Sequence, residues 1–119
     1  MKQKVHSVSY LAKAEFEFKN GVYDLVALPT GAEVVKVTLE VVGNPSSGTV
    51  SVGFKDETNK NYFLTLEPIQ NNKNATSAKD YTATSSKVVV AEVKNTSNED
   101  TKGVLRVLYF LPSVIEVEY

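Results

Sequence analysis

A chain of 119 residues with Cys 0, Trp 0 and His 1 excludes a disulfide framework, a thiolate metal site and most His- or Cys-based catalysis. Its 13 basic and 14 acidic residues leave a net charge of -1, so no long-range field steers it to nucleic acid or to an anionic membrane. The length fits one domain, 1–119, and a hydrophobic fraction of 42% supplies a core.

From Val8 to Phe18 the chain alternates. Val8, Tyr10, Ala12, Ala14, Phe16 and Phe18 hold one parity, and Lys13, Glu15, Glu17 and Lys19 the other. Strand side chains point alternately to opposite faces, so this reads as a long strand with one buried face. Asn20-Gly21 suits a hairpin turn. Residues 22–28 read as a short buried strand, and Pro29-Thr30-Gly31 as a turn. Residues 34–42 alternate again, with Val35, Val37, Leu39 and Val41 on one face. Beyond a Ser/Gly-rich connection, residues 49–54 and 62–66 read as a hairpin across the polar loop 56–61. Pro68 ends that hairpin.

Residues 70–86 and 95–103 are two long polar loops, the first carrying a short edge strand near Tyr81. Residues 87–94 form a Val-rich strand. Residues 104–111 are apolar on both faces and read as a central strand. Residues 114–119 alternate to the end. No 3.6-residue period and no internal repeat stands out. About eight strands with turn signals every roughly 8–15 residues predict an all-β fold, an antiparallel two-layer β-sandwich of jelly-roll type. The expected inward residues are Val35, Val37, Leu39, Val50, Val52, Leu64, Val89 and Leu108.

Candidate chemistry is sparse. Glu15 and Glu17 share a strand face with lysines and read as a solvated face rather than an acid/base pair. His6 has no nucleophile pattern around it and no second His. Asp56, Glu57, Asn59 and Asn61 lack the Gly and Glu spacing of a calcium loop. Glu99 and Asp100 are weaker still. There is no glycine-rich phosphate loop and no nucleophile elbow. No apolar run approaches the roughly 20 residues of a membrane span. The N-terminal segment lacks the continuous apolar stretch of a signal peptide, so the mature chain is expected to start near Met1. The sequons at Asn74 and Asn95 accordingly read as loop composition. Both ends are strand-forming, and such ends either close their own sheet or add to a neighbour's edge.

Three segments carry a family resemblance: LPTGAEVVKVTLEVVG (28–43), SGTVSVGF (47–54) and NYFL (61–64). Together they cover about a third of the chain. A Leu-Pro-x-Gly turn into a Val-rich strand, a Ser/Gly-rich hairpin, a Val-Gly strand end and a Tyr/Phe-Leu segment resemble the small capsid decoration, or cement, proteins of tailed phages. Where an acidic Gly-Asp is often expected after the Val-Gly strand, this chain has Phe54-Lys55-Asp56, which weakens any metal-loop inference.

The resemblance implies a non-enzymatic virion protein on the outer capsid surface, made in the bacterial host cytoplasm. It implies a homotrimer that clamps adjacent subunits of the major capsid protein. No cofactor, metal, nucleic acid, membrane or small-molecule ligand is expected. The strand-forming end, Val114, Ile115, Val117 and Tyr119, is the candidate oligomer or capsid contact, and Asp80 and Tyr81 are further candidates. The rival reading is a carbohydrate- or receptor-binding sandwich associated with a tail or fibre. Tyr81, Asp80, Asn71, Asn72 and Asn74 would be its patch, although the absence of Trp counts against it.

Overall fold

The computed structural model describes residues 2–67, 73–97, 101–112 and 114–118, the last span through its backbone. Every regular element in them is a strand. The order is β1 (Lys2–His6), β2 (Ser9–Glu17), β3 (Gly21–Leu28), β4 (Glu33–Val42), β5 (Thr49–Phe54) and β6 (Leu64–Leu66). Then follow β7 (Asn74–Ser77), β8 (Tyr81–Thr82), β9 (Lys87–Lys94), β10 (Lys102–Phe110) and β11 (Val114–Glu118).

Two sheets and a separate ribbon result. One sheet runs β2-β10-β4-β7, with β8 also on β4; the other runs β3-β9-β5-β6; the ribbon is β1-β11. All pairings are antiparallel. β7 and β8 pair successive parts of β4, at Val37–Glu40 and at Glu33–Val34, so they serve as one interrupted edge strand. The chain stays in one sheet for the β5–β6 hairpin and between β7 and β8. From β2 to β10 it otherwise changes sheet at each connection, as in a jelly roll. The core lies between the sheets. Phe18, Leu28, Leu39, Phe54 and Leu105 are fully buried there with Val34, Val37, Val50, Val52, Val89 and Val93.

Four expectations need correction. Val35 is 38% exposed, while Val34 is fully buried. The β4–β10 ladder shifts register between Leu108 and Tyr109, so Lys36 faces Leu108, Val34 faces Tyr109, and Val35 is the extra residue of a bulge. Leu108 lies on the outer face and is half-buried, with Leu105, Val107 and Tyr109 pointing inward. On a strand apolar on both faces, parity cannot be read from hydrophobicity. Tyr10 is 53% exposed on β2, an edge strand with no neighbour beyond it in the sheet, and Val8 just ahead of that strand also stands out. Asn20-Gly21 is a corner between sheets, not a hairpin. The Asn20 amide donates to the Thr96 carbonyl at 3.2 Å and accepts from the Thr96 N–H at 3.1 Å, tying the corner to the end of β9.

Candidate interaction surface

The two ends of the chain pair along almost their whole length. β2 and β10 match from Glu17–Lys102 to Ser9–Phe110, and β1 and β11 resume from His6–Val114 to Lys2–Glu118. β4 accompanies β10 only as far as Glu33 opposite Phe110. Beyond that point the terminal strands continue as a two-stranded ribbon. At roughly 3.3 Å per residue, the run from Lys2 to Glu17 accounts for about 50 Å of a molecule 56 Å long and 27 by 18 Å across.

The ribbon is fixed at its root. The Leu111 N–H donates to the Val8 carbonyl at 2.8 Å, and His6 Nδ1 lies 2.9 Å from the Leu111 carbonyl as a ring donor. Pro112 sits against Gly31, which has φ +88°; a Cβ there would come within 2.7 Å of the proline Cβ. The Gly31 N–H in turn donates to the Ala83 carbonyl at 2.6 Å. The Pro29-Thr30-Gly31 turn is therefore the seat on which the ribbon leaves the body.

Beside that seat lies an aromatic end. Phe54, Tyr62, Phe63 and Tyr81 form one cluster with ring centroids 4.5–5.4 Å apart. The Tyr62 hydroxyl donates to the Asp80 carbonyl at 3.2 Å, and the Lys79 ammonium lies 3.8 Å from the Tyr62 ring centroid. Lys87 donates to Asp56 at 2.5 Å. That bond holds the Asp56 carboxyl below its ordinary range and the Lys87 ammonium above its own, with desolvation opposing both.

Of the residues singled out from the sequence, Val114, Ile115 and Val117 lie on β11 opposite His6, Val5 and Gln3. Tyr119, Asn71, Asn72, Glu99 and Asp100 lie outside the described residues. Tyr81 pairs with Val34 on β8 and is half-buried, and Asp80 precedes it, exposed. Val34 and Glu33 also face Tyr109 and Phe110, so Asp80 and Tyr81 share one end of the sandwich with the ribbon root. Sequence reasoning missed that the two ends pair with each other. Parity marks a strand but does not name its partner.

Among the described residues no group of three or more His, Cys, Asp and Glu could hold a metal ion. Nor is any helix among the described residues long and apolar enough to cross a membrane. Glu15 and Glu17 are exposed beside Lys102 and the buried Phe16 ring. His6 is engaged with a backbone carbonyl.

No protein-family model and no curated protein matches the chain. Solved structures do. A chain of the acidic stable capsid structure of Helicobacter pylori bacteriophage KHP30 is 75% identical over 100% of both chains, with a TM-score of 0.93. A chain of the cyanophage Pam1 capsid asymmetric unit is 21% identical, with 87% of this chain and 85% of that one covered and a TM-score of 0.69. A chain of the capsid of Ralstonia phage GP4 is 14% identical over 92% and 88%, with a TM-score of 0.63. The last two share the fold. Identity of 75% along the full length goes further, and on that ground the chain belongs to a family of bacteriophage capsid-associated proteins.

Proposed function

We propose that the chain is a capsid decoration protein. In this reading it is a non-enzymatic protein on the outer capsid surface that assembles as an oligomer, most simply a homotrimer, and clamps adjacent major capsid subunits. It is made in the host cytoplasm and carried on the virion. The observation that carries the reading is the terminal ribbon. An isolated two-stranded ribbon is marginally stable in water, and its unpaired backbone rows are a template for a strand from another chain. A strand added there joins two subunits through main-chain hydrogen bonds. Val114, Ile115 and Val117 sit on that ribbon, Tyr119 follows it, and Asp80 and Tyr81 lie at its root. Contacts of this kind bury on the order of 800 Å² per partner.

The carbohydrate-binding reading gains nothing from the geometry. Tyr81 packs its ring against Phe54 at 4.5 Å and Tyr62 at 5.4 Å, so it is no free stacking platform. Removal of residues 113–119 tests the clamp. The truncated protein should keep its β-type circular dichroism while its occupancy on capsids and the heat stability of the particles fall. Unchanged occupancy together with unchanged particle stability would reject the clamping role.

A further inference from the structure

All but one of the sheet edges are guarded against a further strand. β6 has three residues, β7 and β8 share an edge as two short pieces, and β3 shifts register between Asp24 and Val26. Short strands and bulges are common ways of keeping an edge from pairing with another chain. β2 has neither. Its nine residues pair with β10 without a register shift, and β1 prolongs the same side into the ribbon. The middle of this edge, which spans residues 2–17, is apolar and open: Val8, Tyr10 and Leu11 are all exposed.

Backbone direction decides which residues such an edge offers. The N–H of Phe18, just past β2, donates to the Thr101 carbonyl at 3.0 Å, on the β10 side. Hydrogen-bonding direction alternates along a strand, so Ser9, Leu11, Lys13, Glu15 and Glu17 turn their N–H and C=O groups to the open side. Between sheet and ribbon the two strands step unequally: four residues lead from Phe110 to Val114, but three from Ser9 to His6. Parity therefore flips on the N-terminal strand, and Lys2, Lys4 and His6 continue the row of Glu15 and Glu17. His6 accordingly lines a hollow with Phe110 and Glu33, which oppose each other on the outer face.

We propose that this edge pairs antiparallel with the same edge of a second copy, about a two-fold axis. Lys2 and Lys4 then stand opposite Glu17 and Glu15 of the second copy, and the symmetry repeats both pairs. Within one chain Lys2 and Lys4 already oppose Glu118 and Glu116, and Glu17 opposes Lys102. Charge thus alternates across four strands, from Glu118 to Lys2, then to Glu17 and Lys102 of the second copy. A slip of two residues sets Lys4 against Lys13 in one direction and Lys2 against Lys19 in the other, and like charges directly opposite repel. Glu17 keeps its contact with Lys19 at 3.3 Å, where both side chains are exposed. His6 falls opposite Lys13 of the second copy, with its ring turned back to the Leu111 carbonyl. Tyr10 and Leu11 meet their counterparts around the axis, and the kink at 7–8 takes up the odd residue. An apolar centre with charged ends is the anatomy of a specific isologous interface. The contact gives an edge, a register and a symmetry to the oligomer of the decoration reading, on which it rests, and leaves the far side of β11 open to a further chain.

The chain has no cysteine, and Tyr10 falls opposite Tyr10 of the second copy, a spacing that a disulfide can bridge. The test oxidises the full-length Tyr10→Cys chain with glutathione disulfide, free and on capsids, beside Val22→Cys, a comparably open position on β3. Tyr10→Cys should form covalent dimers about tenfold faster or more. Adding Lys2→Glu/Lys4→Glu or Glu15→Lys/Glu17→Lys should each slow it about tenfold, and an equal mixture of the two should restore most of the rate, because each edge again meets its opposite. Mixing would not repair a folding defect. Equal rates for the two single-cysteine chains, both free and on capsids, or a mixture no faster than its components, would overturn the inference. Capsid occupancy of the wild-type chain is measured apart. Occupancy without Tyr10→Cys dimers would sink the two-fold contact alone, and dimers without occupancy would sink the decoration reading alone.

Discussion

Single residues decide where the ribbon stands. Gly31 adopts φ +88° with Pro112 close against it, so Gly31→Ala meets both backbone strain and a clash. A loss of about 1–3 kcal/mol is expected, read by denaturant unfolding, together with weaker hydrogen-exchange protection of the Leu111 amide. Asp56 and Lys87 form the pair that titrates away from ordinary values. A carboxyl held low contributes stability above its unfolded pKa and loses it as pH falls through the folded value. An ammonium held high contributes below its unfolded pKa and loses it as pH rises through the folded value. The contribution is thus constant across neutral pH and vanishes at both the acidic and the strongly alkaline end. Both groups reach solvent, so salt weakens the pair. Lys87→Gln should raise the Asp56 midpoint into the ordinary carboxylate range in an NMR titration.

At the scale of elements, the two faces of one sheet should answer differently to the same truncation. Leu39 is buried between the sheets, so Leu39→Ala should cost about 2–5 kcal/mol. Leu108 lies half-buried on the outer face, so Leu108→Ala should cost about 1 kcal/mol or less. Equal losses in chemical denaturation would contradict the register. The same contrast shows what was legible in the sequence. Clean alternation placed Val37, Leu39, Val50, Val52 and Val89 inward, and the structure buries all five. It failed at Val35, where a bulge resets parity, and at Leu108, where both faces are apolar. It also failed at Asn20-Gly21, because turn chemistry says that the chain reverses but not whether it stays in its sheet. Tyr81 as part of an edge strand was readable. Its burial against Phe54 was not, since Phe54 is brought there by the other sheet.

At the scale of the molecule, a thin sandwich with an arm places the contact proposed with a neighbouring chain on the arm, away from the packed body. The arm could not be read from the sequence because its two strands lie at opposite ends of the chain. Light scattering on the isolated protein should report how far the arm alone assembles it. Truncation at residue 112 should lower that assembly and leave the sandwich folded.

The pairing of Lys2 with Glu118 has a further consequence, for the order in which the chain acquires its structure. It closes nearly the largest loop that the chain can make, and loop closure costs entropy that rises with loop length. The ribbon should therefore be among the last parts to zip, after the β5–β6 hairpin and the sheets have formed. Lys2 and Glu118 also lie side by side. A short Asn-Gly link between them, with the chain reopened in the 43–48 connection, would turn the ribbon into an ordinary hairpin. The slowest closure would become one of the quickest, and the sandwich would be unchanged.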